Sequence, residues 1–103
     1  MKNLKSLFII FFVTLLSQYI YSAEYLGKNI DGIEYDCTAY SYSTAKYYYV
    51  TVEFSGDEAT ITFSNGGYIT VTLDDEVIDD PRSISAYDYE NGVFWELEVD
   101  GLD

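Results

Sequence analysis

The chain has 103 residues, with 18 acidic against 5 basic side chains, a formal charge of −13, one cysteine and no histidine. Without histidine, Ser-His-Asp and Cys-His catalysis and histidine-based zinc sites are excluded, and one cysteine permits neither an internal disulfide nor a thiolate cluster. So negative a field repels nucleic acid and anionic membrane surfaces, and it attracts cations and basic proteins.

Residues 1–23 read as a secretory signal peptide. Lys2 and Lys5 precede an apolar run from Leu7 to Leu16, and the small residues Ser22 and Ala23 follow. The run is short of the ~20 apolar residues of a membrane span. Cleavage is therefore expected over an uncleaved anchor, after Ser22 or after Ala23. No cysteine follows the run directly, so a lipid anchor is not indicated. The expected product, residues 24–103, is a single acidic domain, periplasmic or secreted and not membrane-bound. It sets Lys28, Lys46 and Arg82 against all 18 carboxylates, a formal charge of −15.

Residues 24–32 form a lead-in ending at an Asp31-Gly32 turn. The first strand covers about 33–42, with Ile33, Tyr35, Cys37 and Ala39 inward and Glu34, Asp36, Thr38 and Tyr40 outward. Ser41 to Ala45 make a polar turn. The second strand, about 46–54, turns Tyr48, Val50, Val52 and Phe54 inward and Tyr47, Tyr49, Thr51 and Glu53 outward. Ser55 to Glu58 form a hairpin turn. The third strand, about 59–64, buries Ala59, Ile61 and Phe63. Asn65-Gly66-Gly67 is a strong hairpin signal, because asparagine and glycine tolerate positive φ. The fourth strand, 68–73, buries Ile69, Val71 and Leu73.

Asp74 to Arg82 is an irregular acidic stretch with Val77-Ile78 as an apolar staple, and Pro81 argues against a central strand there. The fifth strand, about 83–89, has an ambiguous pattern, since Ile84 and Ala86 oppose Tyr87 and Tyr89. After a turn at Glu90-Asn91-Gly92, the sixth strand, 93–99, places Val93, Trp95, Leu97 and Val99 inward and Phe94, Glu96 and Glu98 outward. No segment reads as a long helix. The expected fold is all-β: a small antiparallel meander of about six strands curled into a barrel, with a β-sandwich as the alternative.

No catalytic residue, metal site or cofactor is expected. Asp74, Asp75, Glu76, Asp79 and Asp80 offer oxygen ligands, but their spacing fits no calcium loop and the EF-hand glycine is absent. Exposed carboxylates without a deep cleft do not make a glycosidase pair. Cys37 reads either as a buried apolar thiol or as half of a disulfide between two chains. The outward tyrosines Tyr40, Tyr42, Tyr47 and Tyr49, with Phe94, are the composition of a recognition surface.

Tyr35-x-Cys37 resembles the opening of the periplasmic and membrane-bound inhibitors of c-type lysozyme. So does the order that follows: a Val/Phe strand, Ala59-Thr60-Ile61, an Asn-Gly turn and Ile69-x-Val71-x-Leu73. The likeness covers residues 33–99 and includes Ser83-Ile84-Ser85-Ala86-Tyr87 and Val93-Phe94-Trp95. Ile84 stands where the family has glycine, Leu97-Glu98 where it has lysine-glycine, and the second cysteine is missing. In that family the loop serine and the lysine enter the enzyme's cleft, so the resemblance carries over Ser83 alone. The function it implies is inhibition of a lysozyme; the charge favours a basic exported enzyme as the partner, and the domain is expected to be non-enzymatic and monomeric. The expected partner contacts are Ser83, Tyr87, Phe94, Tyr47 and Tyr49. An immunity protein against a delivered toxin and a calcium- or carbohydrate-binding surface module are the alternatives.

Overall fold

A computed structural model describes residues 22–102; the signal peptide expected over 1–23 lies almost wholly outside the described residues. Two two-residue strands open the fold, β1 (Glu24–Tyr25) and β2 (Lys28–Asn29). The long strands β3 (Glu34–Ser41), β4 (Lys46–Ser55), β5 (Glu58–Phe63) and β6 (Tyr68–Leu73) follow. A short β7 (Val77–Ile78) precedes β8 (Ile84–Asp88) and β9 (Val93–Val99). The six long strands close into an antiparallel barrel in the order β3-β4-β5-β6-β8-β9, and β2-β1-β7 form a small separate sheet. The expected all-β barrel is the fold.

Alternation sets which face each side chain takes, because successive residues of a strand point to opposite sides. Val50, Val52, Phe54, Ala59, Ile61, Val71, Ala86, Leu97 and Val99 fill the interior. Glu34, Asp36, Glu53 and Glu98 stay outside. Cys37 and Ala39 lie inward as expected, and Cys37 is a buried free thiol. Ile33 does not: it is 45% exposed, because β3 begins only at Glu34. The β8 pattern resolves with Ile84, Ala86 and Asp88 inward and Tyr87 half-buried outside.

The turns follow residue chemistry. Ser55 pairs with Glu58 across a two-residue loop whose first residue, Gly56, has φ 63°, the positive value that a type II′ hairpin asks of its first position. At the β8–β9 turn the Asp88 carboxylate accepts the backbone N–H groups of Glu90 (3.0 Å) and Asn91 (3.2 Å). Gly92 closes that turn with φ 69°.

The two barrel ends differ. At the end holding the β4–β5 turn, Gly32 N–H donates to the Phe54 carbonyl. The Asp31 carboxylate accepts from Gly56 N–H at 3.1 Å and from Ala23 N–H at 2.9 Å. These bonds tie the small sheet across this end, where Ala23, Ile30 and Ile78 join the core. The stretch expected to be irregular thus contributes a strand, β7, which pairs in parallel with β1. Among the described residues, the opposite end carries the three turns β3–β4, β5–β6 and β8–β9.

Candidate functional site

Barrel closure builds an aromatic and acidic patch on the outer face of β4, β3, β9 and β8. In one row Tyr47 lies opposite Tyr40, Tyr40 opposite Glu96, and Glu96 opposite Ser85. In the next, Tyr42 N–H donates to the Phe94 carbonyl, and Phe94 lies opposite Tyr87. The rings form two packed groups. Tyr40 meets Tyr42 edge-on at 5.0 Å between centroids and Tyr47 at 4.8 Å. Tyr87 meets Phe94 at 4.5 Å and Tyr89 at 4.7 Å.

Glu96 joins the two rows. Its Oε1 accepts the Ser83 hydroxyl at 2.5 Å and its Oε2 accepts the Tyr42 hydroxyl at 3.4 Å. The Glu96 carboxylate beside the Tyr42 phenol is the largest cause of a pKa pushed above the ordinary tyrosine value, since a second negative charge there is repelled. Both carboxylate oxygens are thus oriented, while Tyr42, Tyr47 and Phe94 remain largely exposed.

Four of the five residues expected as contacts fall in this patch. Ser83 holds Glu96, Phe94 and Tyr87 pack together, and Tyr47 packs at a tilt against Tyr40. Tyr49 is outward as expected and 84% exposed. It stands one row further on, opposite Thr38 rather than against the two ring groups. Tyr40, Tyr42 and Glu96 complete the patch. Their outward parity was readable and the expected barrel already closes β9 on β3, but the register that sets Tyr40 opposite Glu96 was not readable.

The acidic stretch 74–80 is organised differently. Asp75 and Asp80 each accept a backbone N–H two residues ahead, from Val77 and Arg82. Among the described residues no group of three or more acidic or cysteine side chains is placed to hold a metal ion. At Cys37 burial is the main cause that pushes the thiol up to about 12, and the nearby Asp100 and Glu98 charges push the same way. It is a thiol that resists ionisation.

At the uncovered barrel end, the last inward side chains of the strands surround a cavity of about 300 Å³, with Tyr48, Phe63 and Trp95 on its wall. Comparison with known protein families, with curated proteins and with solved structures finds no match.

Proposed function

We propose that the protein is an exported binding module that inhibits a basic exported enzyme, with a lysozyme as the favoured target. The observation that carries this is the Tyr47–Tyr40–Glu96 and Tyr42–Phe94–Tyr87 patch on a strongly acidic chain. Tyrosine and phenylalanine give large contact area for few rotatable bonds, and here their rings already hold one another. Ordering them on binding costs little. The negative field steers a cationic partner inward, raising association above the roughly 10⁵–10⁶ M⁻¹s⁻¹ of neutral docking. Ser83, the residue that the family resemblance carries over, sits at the edge of the patch with its hydroxyl fixed on Glu96.

Export belongs to the same proposal, as does a periplasmic or secreted location. Of the two cleavage points, the one after Ser22 fits the fold. Ala23 is fully buried, its N–H meets Asp31 and its carbonyl accepts from Ile30 N–H. Cleavage there turns the Ala23 nitrogen into an ammonium beside the Asp31 carboxylate. Cleavage after Ala23 removes these contacts.

A lytic assay tests the proposal. The secreted protein, added in slight excess over a basic c-type lysozyme, is expected to stop lysis of bacterial cell walls. Full lytic activity at a large excess rejects the lysozyme target.

A further inference from the structure

We propose that the uncovered end of the barrel is a binding site for a small organic ammonium ion with an apolar or aromatic body. The site is separate from the outer face, and its occupation needs no protein partner.

Its geometry follows from the asymmetry of the barrel. The small sheet covers one end and buries Ala23, Ile30 and Ile78. At the other end the inward side chains stop short of filling the space, and a cavity of about 300 Å³ remains. That volume is at the lower limit of small-ligand sites, and barrel mouths are a recurrent place for them.

The wall chemistry selects the ligand. Tyr48, Phe63 and Trp95 form a closed ring cluster with centroids 5.9, 5.8 and 6.1 Å apart. Ile69 and Val93 add aliphatic wall. One carboxylate, that of Asp88, lines the cavity, and no lysine or arginine does. Asp88 is only 2% exposed. Its Oδ1 accepts two backbone N–H groups, while Oδ2 accepts only the Asn91 side-chain amide at 2.8 Å. Three donors already satisfy this carboxylate, so its negative charge acts on the cavity through space and not through a direct hydrogen bond to the ligand. Aromatic faces and a desolvated carboxylate together favour an ammonium group over a neutral or anionic one, because ring quadrupole and carboxylate attract positive charge in the same place. The acidity of the whole chain acts in the same direction.

Trp95 is the only tryptophan, so its fluorescence reports on the cavity. The test titrates the folded protein with benzylammonium, benzyl alcohol and benzoate, by Trp95 fluorescence and by calorimetry. The expected result is saturable benzylammonium binding with Kd of about 1 mM or tighter, at least tenfold tighter than benzyl alcohol, and no benzoate binding. Asp88→Asn keeps the shape and the turn-capping acceptor, and it is expected to reduce benzylammonium to the affinity of the alcohol. Because Asp88 also holds a turn, Ser43→Arg serves as an independent variant. It places a tethered cation at the exposed rim and is expected to weaken benzylammonium about tenfold, with the circular dichroism unchanged. Equal affinity for the ammonium and the alcohol, no saturable binding, or undiminished binding to folded Ser43→Arg overturns the proposal.

Discussion

Trp95 gives the most informative perturbation of the core, because its packing and its polar atom act in opposite senses. The side chain is 8% exposed and touches Tyr48 and Phe63 at ring-centroid distances of 5.8 and 6.1 Å. Truncation to alanine removes those contacts and enlarges the adjoining cavity, which costs about 3–5 kcal/mol. A domain of this size has a total stability of only about 5 kcal/mol, so Trp95→Ala should be largely unfolded at room temperature. Trp95→Phe separates the two terms. The smaller ring loses apolar burial worth about 1.5–2 kcal/mol at ~0.8 kcal/mol per methylene-sized group. It also removes the buried Nε1 donor, whose unsatisfied state costs about 1–3 kcal/mol. The two nearly cancel, and Trp95→Phe should lie within about 1 kcal/mol of the parent. Urea unfolding followed by far-ultraviolet circular dichroism measures both variants without relying on the tryptophan itself. A loss above about 3 kcal/mol for Trp95→Phe, with unchanged denaturant slope, would mean that Nε1 has a partner in the folded protein and would refute the reasoning.

Further predictions concern Cys37, the Asp31 contact and the outer face. The buried Cys37 thiol is raised from 9.0 to about 12, so the folded protein keeps a proton that the unfolded chain releases. Its contribution is complete below pH 9.0 and is lost as pH rises toward 12. Relative to Cys37→Val, the parent should lose up to about 1.4 kcal/mol per pH unit in that window; urea midpoints of the pair that shift in parallel would contradict it. Asp31→Asn keeps an acceptor for Gly56 but removes the charge facing Ala23. In a chain that begins at Ala23 it should cost about 1–3 kcal/mol, and mass spectrometry of the purified chain checks that Ala23 is its first residue. Phe94→Ala and Tyr47→Ala, both on exposed outer positions, should melt within about 1 kcal/mol of the parent. Collapse of Phe94→Ala would exchange the inner and outer faces of β9.

Strand positions and faces were legible wherever apolar and polar residues alternate cleanly, as in Val50-Thr51-Val52-Glu53-Phe54 and Trp95-Glu96-Leu97-Glu98-Val99. They were obscured where a polar residue takes an inward place. Ser41 reads as part of a turn, yet it ends β3 and is buried, accepting Thr44 N–H at 3.3 Å. Asp88 likewise broke the β8 pattern, because its inward carboxylate serves the following turn. Ile33 failed for the opposite reason: an apolar residue extended the alternation past the point where pairing begins. The two-residue strands around Tyr25 and Val77 are set by pairing with each other, and so short a segment has no period to read. The patch was half legible for the same cause. Parity put Tyr40, Tyr42, Tyr47 and Phe94 outside, but Tyr42 and Glu96 are 54 residues apart. Closure of β9 on β3, expected of a barrel, brings them together, but no local pattern encodes the register of that pairing.

The central proposal is recognition of a basic enzyme by the Tyr47–Glu96–Phe94 face. Calorimetric titration of a basic c-type lysozyme with residues 23–103 tests it most directly, repeated at about 0.05 M and about 0.15 M salt, where screening shortens from about 14 Å to about 8 Å, and with Phe94→Ala. The proposal predicts one-to-one binding that weakens with salt but persists at the higher concentration, and a loss of at least tenfold in affinity, about 1.4 kcal/mol, for folded Phe94→Ala. Absence of binding at the lower salt, binding that vanishes at the higher, or unchanged affinity of Phe94→Ala would contradict it.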